Sequence, residues 1–188
     1  MNTNQLELKL LSIVKDFDYL ACAGTGLLPT AIKTVTRGKF SHSAHFRIIQ
    51  GKLFVVDAQK DGYNPKPFIE WHNQFKYSFV VLSPIIPFTE SEIQEMNLIE
   101  YSLVGKEYDF KSLLLKHPRK EILKGLEYIT GKEFDVWKEE TIEESMKRLY
   151  CSEAEALIYS RPNSQVNPTE LYNDLVSNGF KEVFTHKK

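Results

Sequence analysis

The chain has 188 residues, 42% of them hydrophobic and 26% charged, with a formal net charge of -1. That length supports one domain with a sizeable core, and the composition excludes a disordered or fibrous chain. A near-neutral balance, with lysines scattered among glutamates as in Lys138-Glu139-Glu140, argues against a nucleic-acid partner and reads as solvated surface.

Two cysteines, Cys22 and Cys151, make no C-x-x-C pair and therefore neither a metal-ligand spacing nor a disulfide framework. The polar start from Met1 to Lys9 lacks the basic and apolar regions of a signal peptide. No stretch approaches the roughly 20 apolar residues of a membrane span. The expectation is a cytoplasmic chain with reduced thiols and no transmembrane segment.

Residues 4–15 carry Leu6, Leu8, Leu10, Leu11, Ile13 and Val14 in a mixed pattern that leans toward helix. Residues 17–22 read as a short strand, because their aromatic and apolar run ends at Gly24-Thr25-Gly26. Those glycines lack the third glycine, the lysine and the spacing of a nucleotide-binding loop, so they mark a turn into a helix over residues 28–35.

Residues 40–49 alternate. Phe40, His42, Ala44, Phe46 and Ile48 fall on one face, Ser41, Ser43, His45 and Arg47 on the other. His42 is thereby placed on the apolar face and His45 on the polar one. Gln50-Gly51 is a turn, and residues 52–59 return as a second strand. A two-residue hairpin puts His42 opposite Gln59 with Asp57 as its diagonal neighbour, where a carboxylate can orient the imidazole. An odd loop instead sets Asp57 against His45, so the register decides between the histidines. A lone histidine on an apolar face also suits a hydrogen-bonded core residue.

Residues 64–76 hold two prolines with Phe68 and Trp71 and read as an irregular connection; residues 77–82 form a buried strand. Thr89-Glu90-Ser91-Glu92 is a capping box opening a helix to about Leu103, expected to pack through Ile93, Met96, Leu98 and Val104. Residues 111–147 suggest a lid over a pocket or a surface insertion. Cys151 to Ile158 reads as the start of a helix closed by Arg161-Pro162. Asn167-Pro168 opens the next helix, which stops at Asn178-Gly179 before a final edge strand over residues 180–185. The pattern predicts an α+β fold: a mostly antiparallel sheet flanked by helices.

A cysteine at a helix start lies at the positive end of the dipole, beside unpaired N–H groups that favour a thiolate and can hold an oxyanion. Taken alone, Cys151 is as readily a small buried hydrophobe. With His42 to take the thiol proton and Asp57 to fix the imidazole, the set matches what thiol-based acyl transfer requires. Their order along the chain is His42, Asp57, Cys151, the reverse of a papain-like enzyme.

In that order the sequence resembles the circularly permuted NlpC-like branch of the papain-like superfamily, which contains bacterial hydrolases and relatives of lecithin:retinol acyltransferase. The matching pieces are Asp18-Tyr19-Leu20 through Gly26 to Thr36, Ser41-His42, Asp57-Ala58, Tyr108-Asp109 and Tyr150-Cys151-Ser152-Glu153. Phe17 stands where a glycine is usual, and Asp57 where glutamate is commoner. The resemblance implies a permuted papain-like domain spanning the chain, with Cys151 as nucleophile, His42 as base and Asp57 as orienting group. The motif tyrosines Tyr108 and Tyr150 become candidates for substrate contact.

The expected activity is a cysteine hydrolase or acyltransferase that cleaves an amide or ester through a thioester, with no metal or organic cofactor. Its substrate would be a peptide or a lipid-like acyl compound. Tyr63, Phe68, Trp71 and Trp137 are available to line an apolar pocket or to fill the core. The other reading is a papain-like binding or interaction module that has lost turnover.

Overall fold

The computed structural model describes residues 2–59, 61–108, 148–161 and 166–187. In chain order the elements are α1 (Thr3–Leu11), β1 (Tyr19–Ala23), α2 (Leu27–Val35), β2 (His42–Ile49), β3 (Lys52–Gln59), β4 (Gly62–Pro67), α3 (Phe68–Phe75), β5 (Ser78–Pro84) and α4 (Glu90–Leu103). There follow the short strands β6 (Glu107–Tyr108) and β7 (Arg148–Leu149), then α5 (Cys151–Ile158), α6 (Pro168–Ser177) and β8 (Phe180–His186).

The six long strands lie side by side in the order β4-β3-β2-β1-β5-β8, with every neighbouring pair antiparallel. β6 and β7 form a separate parallel pair. This is an α+β fold, a six-stranded antiparallel sheet flanked by helices. Leu6 and Leu10 of α1 and Phe68 and Trp71 of α3 bury one face with Leu20, Ala44, Phe46 and Val55. Met96 and Leu103 of α4, Ala154 and Ile158 of α5, and Leu171 and Leu175 of α6 bury the other, against Tyr19, Ala21 and Val56. Among the described residues no helix is long and apolar enough to cross a membrane.

Local chemistry places most boundaries where the sequence predicts them. Thr89 and Asn167 each close a reciprocal capping box, with Glu92 and Glu170. Gln50 and Gly51 both take positive φ, 51° and 75°, the backbone of a two-residue hairpin turn. Ile49 accordingly pairs with Lys52 and His45 with Val56.

Three expectations change. Residues 64–76 are regular: β4 and α3, not an irregular connection. Pro65 and Pro67 are tolerated because β4 is an edge strand, where a missing N–H leaves no ladder bond unmade. α4 buries Met96 and Leu103, with Ile93 and Ile99 packed beside them, while Leu98 and Val104 face solvent. And the face of β2 bearing Ser43 and His45 is not the solvated one, because α5 and α4 cover it and both side chains are fully buried. Residues 111–147 lie outside the described residues.

Phe17, where the resemblance expects glycine, has φ 63°. An L side chain in that left-handed region costs roughly 1–2 kcal/mol. The ring offsets this by full burial, stacked on the His45 ring at 5.2 Å between centroids and lying under the Arg47 guanidinium at 4.3 Å.

Candidate thiol site

Tyr150 holds extended backbone angles, φ -98° and ψ 165°, and passes the chain into α5 at Cys151 with no side-chain cap. The thiol therefore sits at the positive end of α5, among the first-turn N–H groups. Ser152 Oγ donates to the Val166 carbonyl at 2.6 Å and ties this first turn to the segment before α6. The helix is buried almost all round, from Cys151 through Ala156.

His42 opens β2, and the hairpin register brings Asp57 to it from β3. Nε2 donates to Asp57 Oδ2 at 2.8 Å, both groups being buried. The Cys151 sulfur is near enough that its charge and hydrogen-bonding capacity both act on the ring. Asp57 Oδ2 accepts two further bonds, from Trp71 Nε1 at 2.8 Å and Gln59 Nε2 at 2.6 Å. Gln59 Nε2 lies 3.1 Å from His42 Nε2, but these are two donors converging on one oxygen, not a bond to each other. Tyr77 stacks on the imidazole, with ring centroids 5.6 Å apart. Gly24 permits that approach: a Cβ there would lie 2.6 Å from Tyr77 Cε1.

Burial alone would lower the His42 pKa. The negative charge of a Cys151 thiolate, then the hydrogen bonds to Asp57 and Cys151 and the Asp57 charge, outweigh it and raise the histidine to about 10. His42 is therefore held as an imidazolium beside the sulfur. Because its folded pKa is raised, the stability it contributes is complete below the ordinary histidine range and is lost as pH rises through about 10. Asp57→Asn removes part of what raises it. The expected result is a His42 titration, followed by ring-proton NMR, that moves toward neutral pH, with the alkaline limb of any pH–rate profile moving with it. An unshifted titration would exclude Asp57 as the orienting group.

Cys22 stands in β1 opposite His42 in register, yet it is a different thiol. It is fully buried, and burial pushes its pKa well above the usual range. Neither cysteine is in a disulfide. Tyr150 is buried against Ile32, so it packs α2 onto the start of α5. Tyr108 lies in β6, and its side chain is outside the described residues. Tyr63, Phe68 and Trp71 are core side chains, and Trp137 falls outside the described residues. Trp71 and Gln59 are partners of Asp57 that strand alternation does not point to. The signal for Gln59 was its place across from His42; Trp71 had none, because α3 was not foreseen.

His45 belongs to a second buried assembly on the opposite face. Its Nδ1 lies 3.0 Å from Glu155 Oε2 and its Nε2 3.2 Å from Glu100 Oε2. Arg47 Nη1 donates to Glu100 Oε2 and to Asn97 Oδ1, both at 2.7 Å. Burial alone would lower His45, but the Glu155 charge, hydrogen bonds to both glutamates and the Glu100 charge raise it to about 9. Burial also pushes Glu155 up, so histidine and glutamate contend for the same proton. His45 holds it, because both ring nitrogens face carboxylate oxygens and only an imidazolium donates from both. Glu155 follows Cys151 by one helical turn, and His45 follows His42 by three residues of strand. The same helix and strand are therefore tied twice.

Among the described residues, no group of three or more His, Cys, Asp or Glu is placed to hold a metal ion. No protein-family model and no curated protein matches the sequence. Among solved structures the fold is similar to "metalloprotein yiiX from Escherichia coli O157:H7, DUF1105". That likeness has a TM-score of 0.56 and 16% sequence identity, and it covers 93% of this chain and 98% of the other. At such identity the likeness is one of fold alone.

Proposed function

We propose that the chain is a permuted papain-like cysteine hydrolase or acyltransferase acting on an amide or ester. The observation that carries this reading is the Cys151 thiol at a helix start, acting on a His42 whose Nε2 is fixed by Asp57. Sulfur attacks the carbonyl carbon, and a C–S bond forms as the C=O pair moves to oxygen. The Cys151 and Ser152 N–H groups at the start of α5 would receive that oxyanion. Collapse breaks the bond to the amine or alcohol, which leaves with a proton from His42. Water, or an acceptor hydroxyl or amine in a transferase, then gives its proton to His42, adds to the thioester and releases Cys151.

A peptide or lipid-like acyl compound is the substrate class consistent with such chemistry. Two cysteines outside any disulfide suit a reducing compartment such as the cytoplasm. Trapping tests the proposal. A panel of activated esters and amides, quenched in acid and examined by peptide mass spectrometry, is expected to leave an acyl group on Cys151 and none in Cys151→Ser. The competing reading of a silent binding module draws on the near-complete burial of both Cys151 and His42. Absence of any acyl adduct across the panel would favour it.

A further inference from the structure

The two halves of the thiol site come from different parts of the chain. His42 and Asp57 both belong to the sheet, where the hairpin sets them against each other. Cys151 does not: its sulfur is carried by α5, which packs on the opposite face of the sheet from α3. Whatever fixes α5 along β2 therefore fixes the sulfur relative to the imidazole.

The apolar surface of α5 is poorly suited to that task. Ala154 and Ala156 offer small, smooth contacts, and apolar burial has no direction. Glu155 supplies one. It stands one helical turn after Cys151 on the same side of α5, and both of its oxygens reach His45 Nδ1, at 3.2 and 3.0 Å. The imidazole that donates to them is itself held, with Nε2 3.2 Å from Glu100 Oε2 and the ring stacked on Phe17. Phe17 in turn is pinned through its backbone. Its N–H donates to the Phe46 carbonyl at 2.8 Å, and its carbonyl accepts from the Tyr159 hydroxyl, just past the end of α5, at 2.9 Å. A left-handed phenylalanine persists under the histidine because its surroundings over-determine it. A buried ion pair adds little net stability over a packed apolar pair, and its best-attested use is to set register.

Building on the thiol chemistry proposed above, we infer that Glu155 and His45 are positioning residues for the nucleophile: their bond sets where α5 stops along β2 and so holds Cys151 against His42. Both act through the helix, not on the reacting atoms. One residue of slip would advance α5 by about 1.5 Å. A misplacement of about 1 Å can cost about 10²-fold in rate.

The two carboxylates on His45 separate positioning from packing. In the full chain, Glu155→Met removes the tie to α5 and leaves His45 paired with Glu100. Glu100→Met removes the tie to α4 and leaves the tie to α5, while Arg47 keeps Asn97. Both are expected to lower the unfolding midpoint in urea. Only Glu155→Met is expected to slow iodoacetamide labelling of Cys151 at pH 7.5, by about 10²-fold. In that variant the His42 ring-proton titration should also fall below about 10, because the Cys151 charge is the largest influence raising it. Glu155→Gln, which keeps an acceptor for Nδ1, should restore most of the labelling rate. The parent rate in Glu155→Met, or equal slowing in the two Met variants, would overturn the inference. Should Glu155→Met fold poorly, the repacked double variant His45→Leu with Glu155→Leu decides instead: parent stability with slowed labelling supports the inference, and the parent rate overturns it. An ester and amide panel that leaves Cys151 unmodified in the parent would defeat the hydrolase reading alone, since labelling and titration read the placement of the sulfur without turnover.

Discussion

His42→Ala is expected to slow acyl transfer at Cys151 by about 10²–10⁴-fold, the range for loss of a positioned general acid–base. In the parent, a thiol-directed electrophile should label Cys151 and leave Cys22 untouched. Accessibility does not create that difference, since both sulfurs are almost completely buried. Electrostatics does. Cys22 lies within β1 between β2 and β5, its thiol donates to the Leu20 carbonyl, and burial holds its proton in place. Cys151 has a helix start behind it and a cationic imidazole in front. Removing that imidazole should slow labelling at Cys151 without exposing Cys22. Quantified by mass spectrometry on both cysteine peptides, equal labelling of the two, or an unchanged rate in His42→Ala, would sink the assignment.

The second large effect is on folding. His45→Ala is expected to destabilise the chain by about 3–5 kcal/mol in urea denaturation, the cost of breaking a buried ion pair from one side. The loss is severe because Glu155 has no exposed surface and keeps no cation, whereas Glu100 retains Arg47. The sign of the pH dependence follows from burial. Glu155 is pushed toward its protonated form. The penalty in His45→Ala should therefore shrink as pH falls below the ordinary histidine range, where the contribution of His45 is already complete and the orphaned carboxylate takes a proton. In the parent the trend opposes this: stability from His45 is complete below the ordinary histidine range and fades as pH rises through about 9. A double variant, His45→Leu with Glu155→Leu, should recover much of the loss, since a packed apolar pair can replace a buried ionic one. A His45→Ala stability that does not rise on acidification, together with a parent stability that does not fade as pH rises through about 9, would mean that the pair carries no charge.

How far the site was legible depended on which physical signal carried each residue. His42 and Asp57 were legible because strand alternation and a two-residue turn are local rules, and Gln50-Gly51 obeyed them. Cys151 was legible as a helix start from the helical run that follows it. Glu155 was not, because a glutamate one turn into a helix reads as solvent-facing until the helix is known to be covered on every side. His45 was assigned to the polar face for the same reason. Alternation separates two faces of a strand, but it cannot say that both are buried, which depends on the distant helices α4 and α5. Trp71 was hidden by Pro65 and Pro67, which break a strand pattern in the interior of a sheet but are harmless at an edge.

The turn at Gln50-Gly51 has a consequence for how the chain can vary. A strand turns its side chains over with every residue of slip. One residue inserted in that turn, if carried into the pairing, would swing Asp57 through the sheet to join Glu100 and Glu155. Three carboxylates would then crowd a chamber with one imidazolium and one guanidinium, and His42 would face Val56. Loop length here is thus not neutral surface variation. Among descendants of this chain, changes of length at that corner should be purged or absorbed as a bulge.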